Sequence, residues 1–175
     1  MIEDTGAEIV VAGSEYAEIL TVLAEEIGFR FVVLDDDNFL KVDNFQKVVL
    51  PKIEVNRRAM ILYTSGTTNL PKGVVTTHKN IEAQVSTLVK SWQWSPEDHI
   101  LCVLPLHHVH GIINVISCAL WTGATCEFLP QFTAESVLNA FKRGEINIFM
   151  AVPTIYFKLI AQGNYSAKVW ANYWA

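Results

Sequence analysis

The chain has 175 residues, of which 51% are hydrophobic and 18% are charged, so it carries enough apolar material to bury a core. The formal net charge of -5 and the lack of a lysine or arginine cluster argue against nucleic acid as a main partner. The longest apolar stretch, 112–121, is far shorter than the roughly 20 residues of a membrane-spanning helix, so no transmembrane segment is predicted.

The beginning of the sequence alternates between strand-like and helix-like patterns. Residues 8–12, which are apolar from Ile9 onward, predict a strand, and the apolar positions of residues 16–27 recur at helical spacing. Ser14 is the predicted N-cap of that helix. A second strand is predicted over 31–34, and the acidic residues 35–37 predict a solvated loop.

The same alternation continues to the end of the chain. Residues 59–62 and 73–77 are predicted strands on either side of a polar loop, and apolar positions between 81 and 92 define one helix face. Further strands are predicted over 100–104, 124–129 and 146–152. Further helices are predicted over 112–121, 134–142 and 154–161, with Thr133 and Thr154 as caps of the last two. This order predicts an α/β fold with a mainly parallel sheet flanked by helices.

The cysteines and the first residues bear on the compartment. Residues 1–4 lack the basic start and apolar core of a secretory signal. Cys102, Cys118 and Cys126 lie in apolar runs without C-x-x-C spacing, which predicts buried thiols in a reducing compartment. No export is predicted.

Residues 63–73 read YTSGTTNLPKG and follow an apolar run directly. The loop brings the hydroxyls of Ser65, Thr67 and Thr68, backbone N–H groups and the Lys72 ammonium around one small volume, and a polyphosphate uses all of these donors. Glycines supply the backbone freedom that a concave loop requires. The pattern therefore predicts a phosphate-binding loop.

Two alternatives apply to this loop. The P-loop of nucleotide triphosphatases, G-x-x-x-x-G-K-S/T, does not fit, because Pro71 precedes Lys72 and Gly73 follows it. An ordinary polar surface loop between two strands is the other alternative, since serine, threonine and glycine are common in turns.

The loop resembles the phosphate-binding motif of the adenylate-forming (AMP-binding) superfamily, which includes acyl-CoA synthetases and has the pattern Y/F-T-S-G-S/T-T-G-x-P-K-G. Asn69 stands where the family has glycine, and asparagine tolerates left-handed backbone angles. The resemblance implies that the chain is part of the large N-terminal domain of an adenylate-forming enzyme. The nucleotide-binding residues that it implies are Thr64, Ser65, Gly66, Thr67, Thr68, Lys72 and Gly73.

Three histidines, His107, His108 and His110, crowd a second loop, which follows a predicted strand. Imidazoles are good zinc ligands, so a metal-binding module is one alternative, although no carboxylate or cysteine joins them at established ligand spacing. A structural role is another. No metal site is predicted here.

The second loop also resembles a superfamily motif, L-P-x-F/Y/H-H-x-x-G. His108 matches its histidine, which in the family lies beside the acyl carboxylate, so the resemblance makes His108 the catalytic and substrate-binding candidate. The H-x-H-G form, together with residues 150–156, resembles the malonyl-CoA synthetase group. His110 could then contact the second carboxylate of malonate. By resemblance, Val152 and Pro153 form a wall of the acyl pocket.

The resemblance implies a two-step reaction in which a carboxylate, malonate or another acyl group, attacks the α-phosphate of ATP, after which CoA displaces AMP. ATP, Mg²⁺ and CoA are the implied cofactors. Lys72 and the loop donors would neutralise the phosphates and hold the reacting atoms in line. The family's downstream adenine-binding, ribose-binding and lysine motifs are not found in the 175 residues.

We therefore expect residues 1–162 to be a partial AMP-binding domain and residues 163–175 to be an atypical tail unrelated to the family. The sequence is expected to be a fragment of a longer ligase and to lack activity by itself. A non-catalytic nucleotide- or partner-binding remnant is the alternative. The predicted location is the cytoplasm or the mitochondrial matrix.

Overall fold

Short strands alternate with helices through the described part of the chain, which comprises residues 1–34, 49–65, 70–129 and 131–162 of a computed structural model. The chain divides into two units. Unit 1 consists of Met1–Ile53 and Tyr63–Gly73, and unit 2 consists of Glu54–Leu62 and Val74–Ala175. The predicted acidic loop at 35–37 and the predicted tail at 163–175 lie outside the described residues.

Unit 1 begins with a short helix and a parallel strand pair. Its elements are helix α1 (Ile2–Thr5), strand β1 (Ile9–Gly13), a 3-10 turn (Ser14–Tyr16), helix α2 (Ala17–Ile27) and strand β2 (Arg30–Leu34). The register of β1 and β2 runs from Ile9 opposite Arg30 to Gly13 opposite Leu34. Both strands and the helix between them were predicted from the sequence and are confirmed within a few residues.

The predicted N-cap of α2 is wrong. Ser14 lies inside the 3-10 turn, where its carbonyl accepts a hydrogen bond from the backbone N–H of Ala17. The α-helix therefore begins only at Ala17, after Tyr16, and no side chain caps it. At the other end Gly28 adopts a φ of 87°, a left-handed conformation that glycine takes without a steric penalty and that ends the helix.

A contact between distant parts of the sequence ties the start of the phosphate loop to the N-terminus of unit 1. The phenol of Tyr63 donates a hydrogen bond to the Asp4 carboxylate. This hydrogen bond, with smaller contributions from burial and from the charge of Asp4, raises the pKa of Tyr63 above its ordinary value of 10.0.

The remaining elements contain two further sheets. They are β3 (Arg58–Thr64), β4 (Lys72–Thr77), α3 (His78–Trp92), β5 (His99–Cys102), a π-helical segment (His110–Ser117), α4 (Cys118–Thr122), β6 (Thr125–Phe128), α5 (Ala134–Lys142), β7 (Ile148–Phe149) and α6 (Pro153–Ala161). Strands β3 and β4 are neighbours in a two-stranded sheet, and the three-stranded sheet has the order β6-β5-β7. Both pairings of β5 are parallel, so the predicted α/β class is confirmed.

The central strand β5 is buried on both faces. Ile100 and Cys102 belong to a cluster with residues from α3, the π-helical segment and α4. Leu101, whose side chain points to the opposite face, belongs to a second cluster that contains residues from α5 and α6. The π-helical segment and α4 therefore cover one face of this sheet, and α5 and α6 cover the other.

Polar groups close the amino ends of β5 and β7. The Asp98 carboxylate accepts hydrogen bonds from the backbone N–H of Ser95 at 2.6 Å and from the Asn147 amide at 2.8 Å. The side-chain oxygen of Asn147 accepts from the backbone N–H of His99 at 2.8 Å. These hydrogen bonds fix the starts of two neighbouring strands at the amino edge of the sheet. The loops that contain the candidate site residues follow the strands at the opposite, carboxyl edge.

Several predicted boundaries change in the structure. The predicted helix over 112–121 is a π-helical segment followed by α4, and Ser117 Oγ donates to the Ile112 carbonyl five residues earlier, at 2.8 Å. Strand β7 is shorter than predicted, with only two residues.

Within the described ranges, no helix has the length and apolar character needed to cross a lipid bilayer.

The two predicted caps near the C-terminus have different outcomes. Thr133 caps α5 through a reciprocal pair of hydrogen bonds with Ser136, as predicted. Thr154 does not cap α6, because the N-cap residue is Val152 and Pro153 occupies the first turn. The fixed φ of proline suits that position without a side-chain cap.

The two threonines give a matched test of the capping bond. We expect Thr133→Ala to lower the free energy of unfolding by about 1 kcal/mol, because it removes the acceptor for the Ser136 N–H at the start of a helix with a buried face. Thr154→Ala, a change in the first turn of α6, should change it by less than about 0.5 kcal/mol. Urea unfolding measures both, and equal losses would contradict the assignment.

The Tyr63–Asp4 contact predicts a pH effect. Because the folded state raises the pKa of Tyr63, the contact's stabilisation is present below pH 10.0 and is lost as the pH rises through the folded-state pKa. Asp4→Ala should return this pKa toward its ordinary value, whereas Glu3→Ala, on the same helix, should leave it unchanged. A phenolate absorbance titration, with Tyr63→Phe to identify the transition, measures the shift. A transition that Asp4→Ala leaves in place would refute the contact.

Candidate functional site

The described ends of the predicted phosphate loop lie where β3 ends and β4 begins, in the residues of these two neighbouring strands that belong to unit 1. Thr64 ends β3 and is followed by Ser65, while Lys72 and Gly73 begin β4. All four residues are exposed, so their polar groups are available to a ligand. Gly66, Thr67 and Thr68, which were also predicted to bind nucleotide, lie outside the described residues.

The histidine loop of unit 2 connects β5 to the π-helical segment. His107 and His108 are exposed and their ring centroids lie 4.3 Å apart, while His110 is half-buried as the first residue of the π-helical segment. The backbone N–H of His108 donates to the Pro105 carbonyl at 3.3 Å. The His108 carbonyl accepts from the N–H of Gly111 at 3.1 Å, so the loop folds back on itself around His108.

A close approach of two backbone segments holds this loop in shape. A Cβ atom on Gly111 would lie 2.4 Å from the Pro105 carbonyl oxygen and 3.3 Å from that of Leu104. Only glycine leaves room for this contact, because both neighbours are backbone atoms that cannot rotate away. Gly111 thus lets the π-helical segment begin directly against the end of β5 and fixes the backbone on both sides of His108.

The topology of the three-stranded sheet brings the other predicted acyl-site residues to the same edge. Strands β5 and β7 are parallel neighbours, with Ile100 opposite Ile148, so the loops that follow them leave the same carboxyl edge. The histidine loop leads to the π-helical segment on one face of the sheet, and Val152 and Pro153 lead to α6 on the other. In open α/β sheets, such a divergence between neighbouring strands forms a crevice that commonly binds ligands.

The metal-binding alternative finds no support in the described ranges. No group of three or more histidine, cysteine, aspartate or glutamate side chains there is arranged to hold a metal ion. This search includes His107, His108 and His110.

Sequence reasoning missed two parts of this arrangement. Nothing in the local pattern connects Tyr63 with Asp4, which lie 59 positions apart. The opposite faces taken by the π-helical segment and α6 also follow only from tertiary packing. The three-residue spacing between His108 and Gly111 was the one local signal for the folded-back loop.

The role of Gly111 can be tested by adding one methyl group. We expect Gly111→Ala to destabilise the protein by roughly 1–3 kcal/mol, because the new Cβ collides with the Pro105 carbonyl. Gly13→Ala is the control, since the atoms that its Cβ would meet belong to the Glu15 side chain, which can turn aside. Thermal unfolding gives the stability, and imidazole NMR signals report the His108 environment. Unchanged values for Gly111→Ala would contradict the close approach.

Comparison with known proteins gives the family. The AMP-binding enzyme profile matches residues 1–172. The mitochondrial malonate–CoA ligase ACSF3 of Bos taurus is 48% identical over 164 residues, which are 91% of this chain and 28% of that protein. The chain thus spans little more than a quarter of the length of this relative.

Solved structures agree with the sequence comparison. ATP-bound MatB from Rhodopseudomonas palustris matches with a TM-score of 0.81 and 26% identity, covering 98% of this chain and 35% of that one. A malonyl-CoA ligase in a ternary product complex with methylmalonyl-CoA and AMP matches with a TM-score of 0.74 and 27% identity, covering 92% of this chain and 32% of that one. The chain therefore belongs to the AMP-binding enzyme family of acyl-CoA ligases.

Proposed function

We propose that the chain supplies the ATP phosphate-binding loop and the carboxylate-binding loop of a malonate–CoA ligase. The overall reaction converts malonate, ATP and CoA to malonyl-CoA, AMP and pyrophosphate. The observation that carries the proposal is the similarity to malonate–CoA ligases over 91% of the chain, together with a family match over residues 1–172 that includes both loops. Residues 1–162 are proposed as part of the N-terminal AMP-binding domain.

The proposed nucleotide site uses the donors at the ends of β3 and β4. The Ser65 and Thr64 hydroxyls and the Lys72 ammonium are exposed there, and this set of donors suits an anionic polyphosphate. Lys72 offsets the charge that would otherwise repel the incoming carboxylate, and the hydroxyls orient the phosphate oxygens. Mg²⁺, when bound with ATP, supplies further charge neutralisation.

The proposed carboxylate site uses the histidine loop. The exposed His108 side chain lies at the carboxyl edge of the sheet, where an imidazole N–H can hold a carboxylate oxygen. His110, two residues further on, is assigned to the second carboxylate of malonate. Val152 and Pro153, which follow the neighbouring strand, form the facing wall of this site.

The chain covers 28% of the bovine relative, so turnover belongs to the whole protein, and these 175 residues are proposed to bind ATP without completing the reaction. The relative is named as mitochondrial, which favours the mitochondrial matrix over the cytoplasm as the location of this chain. A non-catalytic nucleotide- or partner-binding protein is the second candidate, favoured by Asn69 at a position where the family's motif has glycine.

Calorimetric titration with ATP and Mg²⁺ tests the nucleotide site. We expect Lys72→Ala to weaken binding roughly tenfold to a hundredfold, because a hydrogen bond to a charged group contributes about 1.5–3 kcal/mol. Lys79→Ala, which removes an exposed lysine from helix α3, the element that follows β4 in the sequence, should leave the affinity unchanged. His108→Ala should also leave it unchanged, because His108 is assigned to the carboxylate.

Two outcomes would contradict the proposal. Equal affinities for the wild type, Lys72→Ala and Lys79→Ala would remove Lys72 from the nucleotide site. Pyrophosphate release by the 175-residue chain in the presence of malonate would show that these residues complete adenylation by themselves, which would also exclude the non-catalytic candidate.

A further inference from the structure

The π-helical segment His110–Ser117 widens along its length. At its start, the backbone N–H of Ile112 donates to the His108 carbonyl, four residues earlier, at 3.1 Å. At its end, the backbone N–H of Cys118 donates to the Ile113 carbonyl, five residues earlier. Wide turns of this kind are rare and are frequently found at functional sites. This one directly follows the histidine loop, so the contacts that hold it bear on the proposed carboxylate site.

The Ser117 side chain forms one of these contacts. Its Oγ donates to the Ile112 carbonyl at 2.8 Å, across five residues, and the bond is partly buried. Hydroxyls in α-helices ordinarily bond to carbonyls three or four residues earlier. Elsewhere in this chain that pattern is shown by Thr21, Ser86, Thr87 and Thr122. A bond across five residues fits the π winding, so the Ser117 hydroxyl stabilises the wide turn over an α-helical one.

The wide turn allows two fixed ends to fit at once. Gly111 lies against the Pro105 carbonyl at one end of the segment. Beyond the other end, Cys118 and Ala119 are fully buried in a hydrophobic cluster. An α-helical winding of the same residues would rotate one end relative to the other, because each turn would hold one residue fewer. The buried end cannot follow, so the rotation would displace the end that carries the histidine loop.

A second contact fixes the middle of the segment. Asn114 is half-buried and is the one polar side chain between His110 and Ser117. Its side-chain oxygen accepts a hydrogen bond at 2.8 Å from Nε2 of Gln84 on α3. A change in winding would therefore fall mainly on the residues before Asn114, and His110 is the first of them.

We propose that Ser117 is a positioning residue for the dicarboxylate substrate, because by holding the π winding it sets the direction of the His110 imidazole relative to His108. This inference rests on the proposed function, in which His108 holds one carboxylate of malonate and His110 holds the other. A monocarboxylate has no group for His110 to hold. The winding thus bears on the choice between malonate and a monocarboxylate of the same length, while Ser117 itself acts only through the segment.

NMR titrations of the 175-residue chain with malonate and with propionate test this role. Ser117→Ala should weaken malonate binding roughly threefold to tenfold, the size of effect expected when one hydrogen bond is lost, and should leave propionate binding unchanged. Ser117→Thr, which keeps the hydroxyl, should restore malonate binding. Ser86→Ala is the matched control, since Ser86 Oγ donates to the Ala83 carbonyl within α3. Equal losses for malonate and propionate would overturn the proposal.

The ligand-free chain separates this inference from the proposed function. The imidazole NMR signals of His110, identified by their loss in His110→Gln, should shift in Ser117→Ala and return in Ser117→Thr. The same signals in the wild type and Ser117→Ala would overturn the positioning role. If the wild type bound neither acid while these signals responded to Ser117→Ala, the link from Ser117 to His110 would be supported and the carboxylate site of the proposed function would be removed.

Discussion

The burial of β5 on both of its faces is the constraint on which unit 2 depends. Ile100 and Leu101 are fully buried and point to opposite faces, so one short strand contributes to two hydrophobic clusters. Each such side chain contributes about 1.5–3 kcal/mol relative to exposure. The helices on the two faces therefore pack against the same strand. Because this strand is buried, the position at which the loop after β5 begins is fixed.

The central position of β5 also decides where the candidate site lies. With β6 on one side and β7 on the other, each gap at the carboxyl edge is bordered by a loop from β5. The histidine loop follows β5 and Val152 follows β7, whereas the residues after β5 and β6 line a cavity with mainly apolar walls. Hydrogen bonds of Asp98 and Asn147 hold the opposite, amino edge of the same sheet.

The parts of the fold that were predicted well have local causes. Helix α5 was predicted at its observed limits, because Thr133 offers a cap and the apolar positions that follow have a clear helical period. Ser14 and Thr154 were predicted as caps for the same reason. Ser14 instead lies in a 3-10 turn, and α6 already begins at Pro153, before Thr154. The contact of Tyr63 with Asp4 depends on tertiary structure and left no local signal. The strands beside the phosphate loop were predicted over 59–62 and 73–77 and are observed at Arg58–Thr64 and Lys72–Thr77, so the apolar pattern located both strands but ended them one or two residues short of the loop.

The π-helical segment after the histidine loop has a consequence for how this region can change in evolution. A π-helical turn holds one residue more than an α-helical turn, so the loss of one residue from within His110–Ser117 can be absorbed by tightening the winding. Both ends of the segment could then keep their attachments, including the contact of Gly111 with Pro105. Related proteins can accordingly differ in length by a single position here without a gap in the surrounding loops.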